Sequence, residues 1–494
     1  MLFLSVDTIK EAEARTMQNV SSLTLIENAA QALYKELKDF NSVRIYCGKG
    51  NNGSDGYATA LLLKKNGIET EIVQVMPPEN EDCISLCKKA IDAGIPVLTQ
   101  VSFPLKNFDC ALDAVFGIGI KGEITSSDII RAIEIINSSS YVVSADIPSG
   151  MDADTGKECG ISVRADKTVT FTAPKKGMLE NSSVDLCGEI VVAEVGVAVN
   201  YNEISKSTAV PITKKLVQTM LPLRRRYSHK GTFGTAVIIA GSSTMPGAAA
   251  MAAMSALRSG CGLVKVIAPV SICKVLNILV KEAIVIPSPE QGGILLPSLS
   301  PEAVEAIRGA DSILVGCGIG KGNHHLLINN ILLNASAPVI IDADGINCLS
   351  GNLDIIKNKN VLLTPHPKEF SRISGYEVSD IEANRINIAD GFARENGIHL
   401  LLKGARSVIT YGGSNKYVSI EATSALSKAG SGDVLAGITV SLAAQGINLT
   451  DSAAAACFIH TRAGMIAEKT IGCYGTTADD LIKLIPSAIS QIQK

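Results

Sequence analysis

VRIYCGKGNNGSDGYATALLLKKNGIETEIVQVM, residues 43 to 76, decides the fold class. VRIYC is a short apolar run with β-branched and aromatic residues, YATALLLKKNG has helical spacing, and ETEIVQVM returns to a strand pattern. Strand, helix and strand in immediate succession form a right-handed crossover that pairs the two strands in parallel. The rhythm extends in both directions. Upstream, IKEAEARTMQNV (9–20) and LTLIENAAQALYKEL (23–37) read as helices. Downstream come helix DCISLCKKAIDAG (82–94), strand FDCALDAVFG (108–117), helix IIRAIEIINSS (129–139) and strand YVVSADIPSG (141–150). KTVTFTA (167–173) and EIVVAEVGV (189–197) close this half near residue 200. The expected fold is a doubly wound, Rossmann-like α/β domain.

The pattern begins again after VPITKKLVQTMLPLRRRYSHKG (210–231). AVIIAG, LVKVIAP, DSILVGCG, PVIIDADG, VLLTP, HLLLKG and SVITYGG read as strands, and an Ala-rich helical run follows from Asp433. We expect two α/β domains, residues 1–210 and 211–494. The 494 residues agree, since domains of about 150 residues would give two large or three ordinary units. Hydrophobic residues make up 46% and charged residues 19%, with 43 glycines, which favours a buried core with many tight turns over disorder.

Lys plus Arg is 45 against Asp plus Glu 48, and no block of like charge occurs, so bulk nucleic-acid binding is not expected. Twelve cysteines without a CxxC pair, and six histidines without ligand spacing, read as packed thiols and no zinc site. The N-terminus lacks the basic start, long apolar stretch and cleavage site of a signal peptide, so a cytoplasmic location is expected. Gly231 to Leu257 carries no charge and has the length of a membrane span. Ser242, Ser243, Thr244, Pro246 and Gly247 interrupt it, so it divides into strand, turn and helix, and no membrane association is expected.

In a parallel sheet ligands bind beyond the carboxyl ends of the strands. Three polar, glycine-rich loops are expected there in the first half: KGNNGSDG (49–56), GIGIKGE (117–123) and PSGMDADTG (148–156). Gly48, Gly50 and Gly53 satisfy GxGxxG, but the following strand ends Val75, Met76, Pro77, with no acid for a ribose, which argues against a hydride-transfer dehydrogenase. Asn51, Asn52 and Asp55 offer oxygens beyond what a phosphate cradle requires. With Asp113 and Ser149 they can hold a hard cation, or they can simply shape turns. In the second half AGSGDVLAG (429–437) presents Gly430, Ser431 and Gly432 at a helix start, an anion hole with Asp433 beside it as a base for phosphoryl transfer. Taken alone, the same Asp also fits a helix cap.

GNNGSDG, LDAVFG and DIPSG, in this order, closely resemble the N-terminal half of the bifunctional NAD(P)H-hydrate repair enzymes, an NAD(P)HX epimerase domain. The resemblance implies that Asn51, Asn52, Gly53, Ser54 and Asp55, together with the loop Gly117, Ile118, Gly119, Ile120, Lys121, Gly122 and Glu123, contact the damaged dinucleotide. It further implies potassium on Asn52, Asp113 and Ser149, and a proton shuttle at Asp146. GIGIKGE lacks the aromatic that many relatives carry. KGTFGTAVIIAGS, MPGAA, VGCGIG, IDADGIN, LTPHPKEF and LLKGARSVI, with AGSGD, resemble the ribokinase-like NAD(P)H-hydrate dehydratase domain. That likeness implies substrate contacts at Ala248, Gly318, His366 and Asp433, and an adenine nucleotide on Lys403, Gly404, Ala405, Arg406, Ser407 and Gly432. Glu369 is a candidate partner for magnesium or a surface residue, and Arg224, Arg225 and Arg226 suit phosphates or a basic linker equally. GCGIG and KGARS depart from the commoner GPGLG and a Thr version.

The implied activity is repair of hydrated NADH and NADPH (NADHX and NADPHX). One half interconverts the R and S epimers, and the other dehydrates the S form with ADP or ATP, ADP being favoured, through a phosphorylated intermediate. Competing readings are a ribokinase-like vitamin or sugar kinase, and an N-terminal half that binds without turnover. The α/β surfaces permit a homo-oligomer without requiring one.

Overall fold

The computed structural model describes residues 2–99, 106–200, 209–322, 324–413 and 416–493. Two compact units divide the chain, Met1–Pro211 and Ile212–Lys494.

The first unit carries a seven-stranded sheet of β1 (Ser42–Cys47), β2 (Glu69–Gln74), β3 (Val97–Leu98), β4 (Cys110–Ala114), β5 (Val142–Ala145), β6 (Lys167–Phe171) and β7 (Glu189–Ala193), in the order β3-β2-β1-β4-β5-β6-β7. Every pair is parallel. The strand order reverses between β1 and β4, and a crevice opens at such a switch point. Alternation along β1 builds the two sides of the core. Val43, Ile45 and Cys47 pack with Leu33, Leu37, Tyr57 and Leu63, and Tyr46 packs with Val73, Ile133 and Ile136.

One expectation needs correction. Asn51 to Gly56 do not lie in a loop; they form the opening turns of the helix Asn51–Lys65. The glycines are packing devices, since a Cβ on Gly48 would lie 1.9 Å from the Val115 carbonyl oxygen and one on Gly53 2.1 Å from that of Gly48. Backbone contact at that range holds the helix start tight against the ends of β1 and β4.

The second unit is built on a ten-stranded sheet. Its strands are β8 (Val210–Ile212), which straddles the unit boundary, β9 (Thr235–Ile239), β10 (Leu263–Pro269), β11 (Ile284–Ser288), β14 (Ser312–Val315), β15 (Val339–Ile341), β16 (Val361–Leu363), β17 (His399–Leu402), β18 (Val408–Thr410) and β19 (Tyr417–Ser419). Strands β12 (Glu290–Gln291) and β13 (Ile294–Leu295) form a separate hairpin. The order is β11-β10-β9-β14-β15-β16-β17-β18-β19-β8, parallel from β11 to β17 and antiparallel between β17, β18 and β19. The uncharged stretch 231–257 becomes β9, a turn and the helix Pro246–Arg258, and among the described residues no helix is long and apolar enough to cross a membrane. That helix packs on Ser431–Ala444 at close range, where a Cβ on Gly437 would stand 2.2 Å from the Ala252 carbonyl oxygen. This contact seats the start of Ser431–Ala444 at the carboxyl end of the sheet.

Candidate functional sites

In the first unit the ends of β1, β4 and β5 converge. Asp113, fully buried near the end of β4, accepts from Ser144 Oγ at 2.8 Å, from the Ser149 amide at 2.8 Å and from Ser149 Oγ at 2.5 Å. Burial pushes its carboxyl pKa up, and the Ser149 and Ser144 bonds pull against that. Ser149 Oγ also accepts from the Phe116 amide at 2.8 Å, and Asn52 Nδ2 donates to the Phe116 carbonyl at 2.9 Å. Asn52, Asp113 and Ser149 are thus neighbours around Phe116. The amide oxygen of Asn52, Oδ1, is buried with no hydrogen-bond partner, and a buried acceptor without a donor needs a cation or a water.

Asp146 follows β5 with φ of 68°, a left-handed conformation that Asp tolerates better than most residues. Its Oδ1 forms an ion pair with Lys175 Nζ and accepts from the Phe171 amide at 3.1 Å. Lys175 is 1% exposed and donates also to Thr170 Oγ1 at 2.8 Å and to the Phe171 carbonyl at 3.0 Å. Two further acids face Asp146. Burial, then the Asp146 charge, raises both: Asp55 well above the usual carboxylate range, and Glu13 less far. Sequence reasoning missed Lys175 and Glu13; the adjacent lysines of APKK were the sole hint of the former.

The other predicted contacts fall around this corner. Gly50, the N-cap of Asn51–Lys65, supplies no side-chain capping bond, so the amides of the first turn are open to an anion. Asn51 is exposed and accepts from Asn80 Nδ2 at 2.8 Å, while Ser54 Oγ reaches the Gly50 carbonyl at 3.3 Å. In the loop after β4, Ile118 packs beside Leu4, Ile9 and Ala173, whereas Gly119, Lys121, Gly122 and Glu123 are exposed.

In the second unit Gly430 is the N-cap of Ser431–Ala444 at φ of 85°, again without a side-chain cap, and Asp433 stands in the first turn. Burial first and the nearby Asp342 second push the Asp433 pKa up to about 7, against a hydrogen bond with Cys317 and the Lys403 charge. Lys403 Nζ, at the end of β17, pairs with Asp342 Oδ1 at 2.8 Å. Burial would lower the Lys403 pKa, yet Asp342 and Glu369 hold it above the ordinary lysine value. Lys403 also lies close to the nest, because a Cβ on Gly432 would be 3.7 Å from its Nζ. Ala248 and Gly318 meet, since a Cβ on Gly318 would lie 2.7 Å from that of Ala248. Beside them the ends of β9, β14 and β15 and the hairpin enclose a cavity of about 330 Å³, lined by Ser242, Ser243, Met245, Ile294, Lys321 and Asp344 among others.

Several of the predicted side chains are already engaged within the protein. Glu369 is not a surface residue; it is buried and forms a reciprocal cap, its Oε2 accepting the His366 amide at 2.9 Å while His366 Nδ1 accepts the Glu369 amide at 3.2 Å. Among the described residues no cluster of three His, Cys, Asp or Glu side chains can hold a metal. Arg406 is buried and donates to the Ile420 carbonyl at 2.8 Å, so its guanidinium ties down the end of β19 and only its backbone is left to meet a ligand. Gly404 and Ala405 are exposed, and Ser407 Oγ is bonded back to Gly404. Arg224 lies over the Phe233 ring at 3.6 Å and donates to the Gly260 carbonyl, a structural use. Asp342 and the buried His460, 3.1 Å from Ser431 Oγ, escaped sequence reasoning.

The sequence model of the NAD(P)H-hydrate dehydratase family matches residues 236–487, and that of the YjeF-related protein N-terminus matches 22–177. The bifunctional NAD(P)H-hydrate repair enzyme of Dictyoglomus turgidum is 32% identical, covering 100% of this chain and 99% of its own. The enzyme of the same description from Methanothermobacter thermautotrophicus is 33% identical, covering 95% and 92%. Among solved structures, a ribokinase-like superfamily protein of Enterococcus faecalis, 23% identical with a TM-score of 0.50, covers 60% of this chain and 100% of its own, a likeness that shows the fold alone.

Proposed function

The chain belongs to the bifunctional NAD(P)H-hydrate repair enzymes, and from that premise we propose how its residues divide the two reactions. It is an isomerase and a lyase: the N-terminal domain epimerises NAD(P)HX and the C-terminal domain dehydrates the S form back to NAD(P)H.

In the epimerase, Asp146 faces the nicotinamide end of the substrate and moves the proton during inversion at C6, with Lys175 fixing its carboxylate. The open amides of Asn51 to Gly53 and the 117–123 loop hold the dinucleotide. Potassium fits the corner, because Asn52, whose Oδ1 is orphaned, and Ser149 both bond Phe116, and Ser149 bonds Asp113, a set of oxygens suited to a hard cation. When bound, the ion would neutralise the buried Asp113 and orient the Asn52 end of the helix.

In the dehydratase, the C6 hydroxyl of S-NAD(P)HX gives its proton to Asp433 and attacks the terminal phosphoryl group of an adenine nucleotide. With ADP the products of this step are AMP and a phosphate ester. Loss of that phosphate together with a proton from the adjacent ring carbon restores the double bond. The detour eases the elimination, since hydroxide is a poor leaving group and phosphate a good one. The amides of Gly430 to Gly432 and the helix dipole stabilise the moving charge. The observation that carries this reading is Asp433 in an uncapped helix start, beside a lysine paired to a different acid. Magnesium on the nucleotide phosphates would offset charge there; Glu369 is committed as a cap, and no step runs through it. The nucleotide lies over Lys403 to Ser407 and Gly432, and the hydrated ring lies at Ala248, Gly318 and His366. Nine buried cysteines without a disulfide support a reducing compartment, the cytoplasm.

The test is incubation of the purified chain with S-NADHX and either ADP or ATP. Recovery of the reduced-nicotinamide absorbance is expected, faster with ADP. Phosphoryl transfer to an unrelated alcohol without recovery would favour a conventional kinase.

A further inference from the structure

This inference rests on the dehydratase reading and concerns a residue to which that reading gives no role. Asp342, at the end of β15, is 2% exposed. Its Oδ1 accepts from Lys403 Nζ at 2.8 Å and from Thr364 Oγ1 at 2.7 Å, and its Oδ2 lies 3.9 Å from Cys317 Sγ. The partners come from the ends of β17, β16 and β14, so one carboxylate ties together three neighbouring strand ends. A buried carboxylate beside an anion hole repels both phosphorylated ligands, and its value must therefore act through the cation it holds. That cation stands over the nest, 3.7 Å from where a Cβ on Gly432 would be.

The division of partners matters for the proton. If Lys403 closed on Asp433, the base would be neutralised by the ammonium and turned away from the substrate hydroxyl. Lys403 instead closes on Asp342, and Asp433 is left to face the substrate. We infer that Asp342 is a positioning residue of the dehydratase: it pins the Lys403 ammonium over the glycine nest, where it meets the phosphoryl oxygens in transfer, and withholds that ammonium from Asp433. The charged and titratable groups facing Asp433 are Asp342, Asp344, Cys317 and Lys403. Of these Asp342 is the stronger of the two acidic neighbours that favour the protonated form.

Asp342→Asn in the full-length chain tests this, with epimer exchange as the internal measure of protein amount and the thermal transition of the C-terminal unit as the measure of its folding. Turnover of S-NADPHX with ADP and magnesium should fall about 10²-fold, as for removal of one preorganised charge contact. ADP affinity, read by calorimetry, should change far less than turnover. The acid limb of kcat/KM should move to lower pH by about one unit, because Asp433 loses a negative neighbour and gains access to Lys403. A purely structural role would leave that limb in place. Asp342→Glu should recover part of the turnover, and Asp342→Asn combined with Lys403→Met should be no slower than Lys403→Met alone. Thr364→Val, which removes a single bond to Asp342, should lower turnover several-fold and move the limb the same way, even where Asp342→Asn folds poorly. Wild-type turnover in Asp342→Asn, an unmoved limb in Thr364→Val, or additive losses in the double variant overturn the inference. A wild-type chain that cannot restore NADPH overturns the dehydratase reading itself.

Discussion

In the N-terminal unit the buried Lys175 closes directly on the carboxylate assigned to move a proton, Asp146; in the C-terminal unit the partly buried Lys403 closes on a neighbour, Asp342, and leaves Asp433 beside it. The surroundings are otherwise alike. Each corner lies at the carboxyl ends of parallel strands, and each opens a helix on a glycine N-cap without a capping side chain. The difference lies in where a proton is kept. In the first corner two acids with raised pKa, Asp55 and Glu13, stand around Asp146, and in the second the pKa of Asp433 is raised. An epimerisation runs in both directions and needs acid and base together, but phosphoryl transfer needs a single base that accepts one proton and loses it later.

The widest separation of the two corners comes from substituting the assigned bases. Asp433→Asn should lower dehydration of S-NADHX by about 10³-fold or more, with epimer exchange unchanged. Asp146→Asn should do the reverse, lowering exchange of the R and S forms by about 10²-fold while dehydration of pure S-NADHX proceeds as in the wild type. Chromatographic resolution of the epimers and recovery of nicotinamide absorbance read the two independently. If either variant lost both activities, the two corners would not be separate machines.

A smaller effect sharpens the contrast in proton storage. Asp433 must be ionised to act as base, and its pKa stands at about 7. Dehydration kcat/KM should therefore fall about tenfold for each pH unit well below 7 and level off above it. A limb near pH 4 instead would mean that the base is an ordinary exposed carboxylate.

How much of this was legible depends on the distance along the chain over which each feature is written. Strand and helix alternation is local, and so are the glycine starts, the Asp that follows each, and DIPSG at the end of β5. Each lysine, by contrast, finds its acid through the fold, 29 residues away for Lys175 and Asp146 and 61 for Lys403 and Asp342. No spacing rule connects such pairs. The strands Val210–Ile212, Ile284–Ser288 and Tyr417–Ser419 escaped for related reasons. They are short or carry a proline, two of them at sheet edges, and Tyr417–Ser419 joins by antiparallel pairing outside the strand–helix rhythm. Asn51 to Gly56 read as loop because Gly, Asn and Asp favour turns, and the close approach of Gly48 to Val115 overrides that preference.

Potassium should affect one corner only. Replacing it with lithium at equal ionic strength should slow epimer exchange several-fold and leave dehydration unaltered, because the orphaned Asn52 oxygen belongs to the N-terminal unit. The thermal transition of that unit should rise with potassium concentration as ligand linkage requires. Asn52→Ala should abolish both responses. A response that survives the substitution would place the ion elsewhere.

The smallest expected effect is on stability, and it follows from the sign of the Asp433 shift. In the unfolded chain Asp433 ionises near 3.8, whereas in the folded unit it does so at about 7. Between those values the unfolded state has given up a proton that the native state still holds, so stability falls as pH rises through the window and stays lowered above it. Asp433→Asn has no charge to bury. It should match the wild type near pH 3, become the more stable protein as pH rises, and above pH 7 hold an advantage of the order of 1 kcal/mol, since solvent at the site mouth screens part of the burial. For a unit of this size that is a rise in Tm of about 2–4 °C, measurable by calorimetry at pH 8 beside pH 4. A variant that is inactive yet more stable at pH 8 marks a base held at the expense of folding. Equal Tm values at pH 8 would mean that the carboxylate is already solvated or paired, contrary to a poised base beside a lysine committed to Asp342.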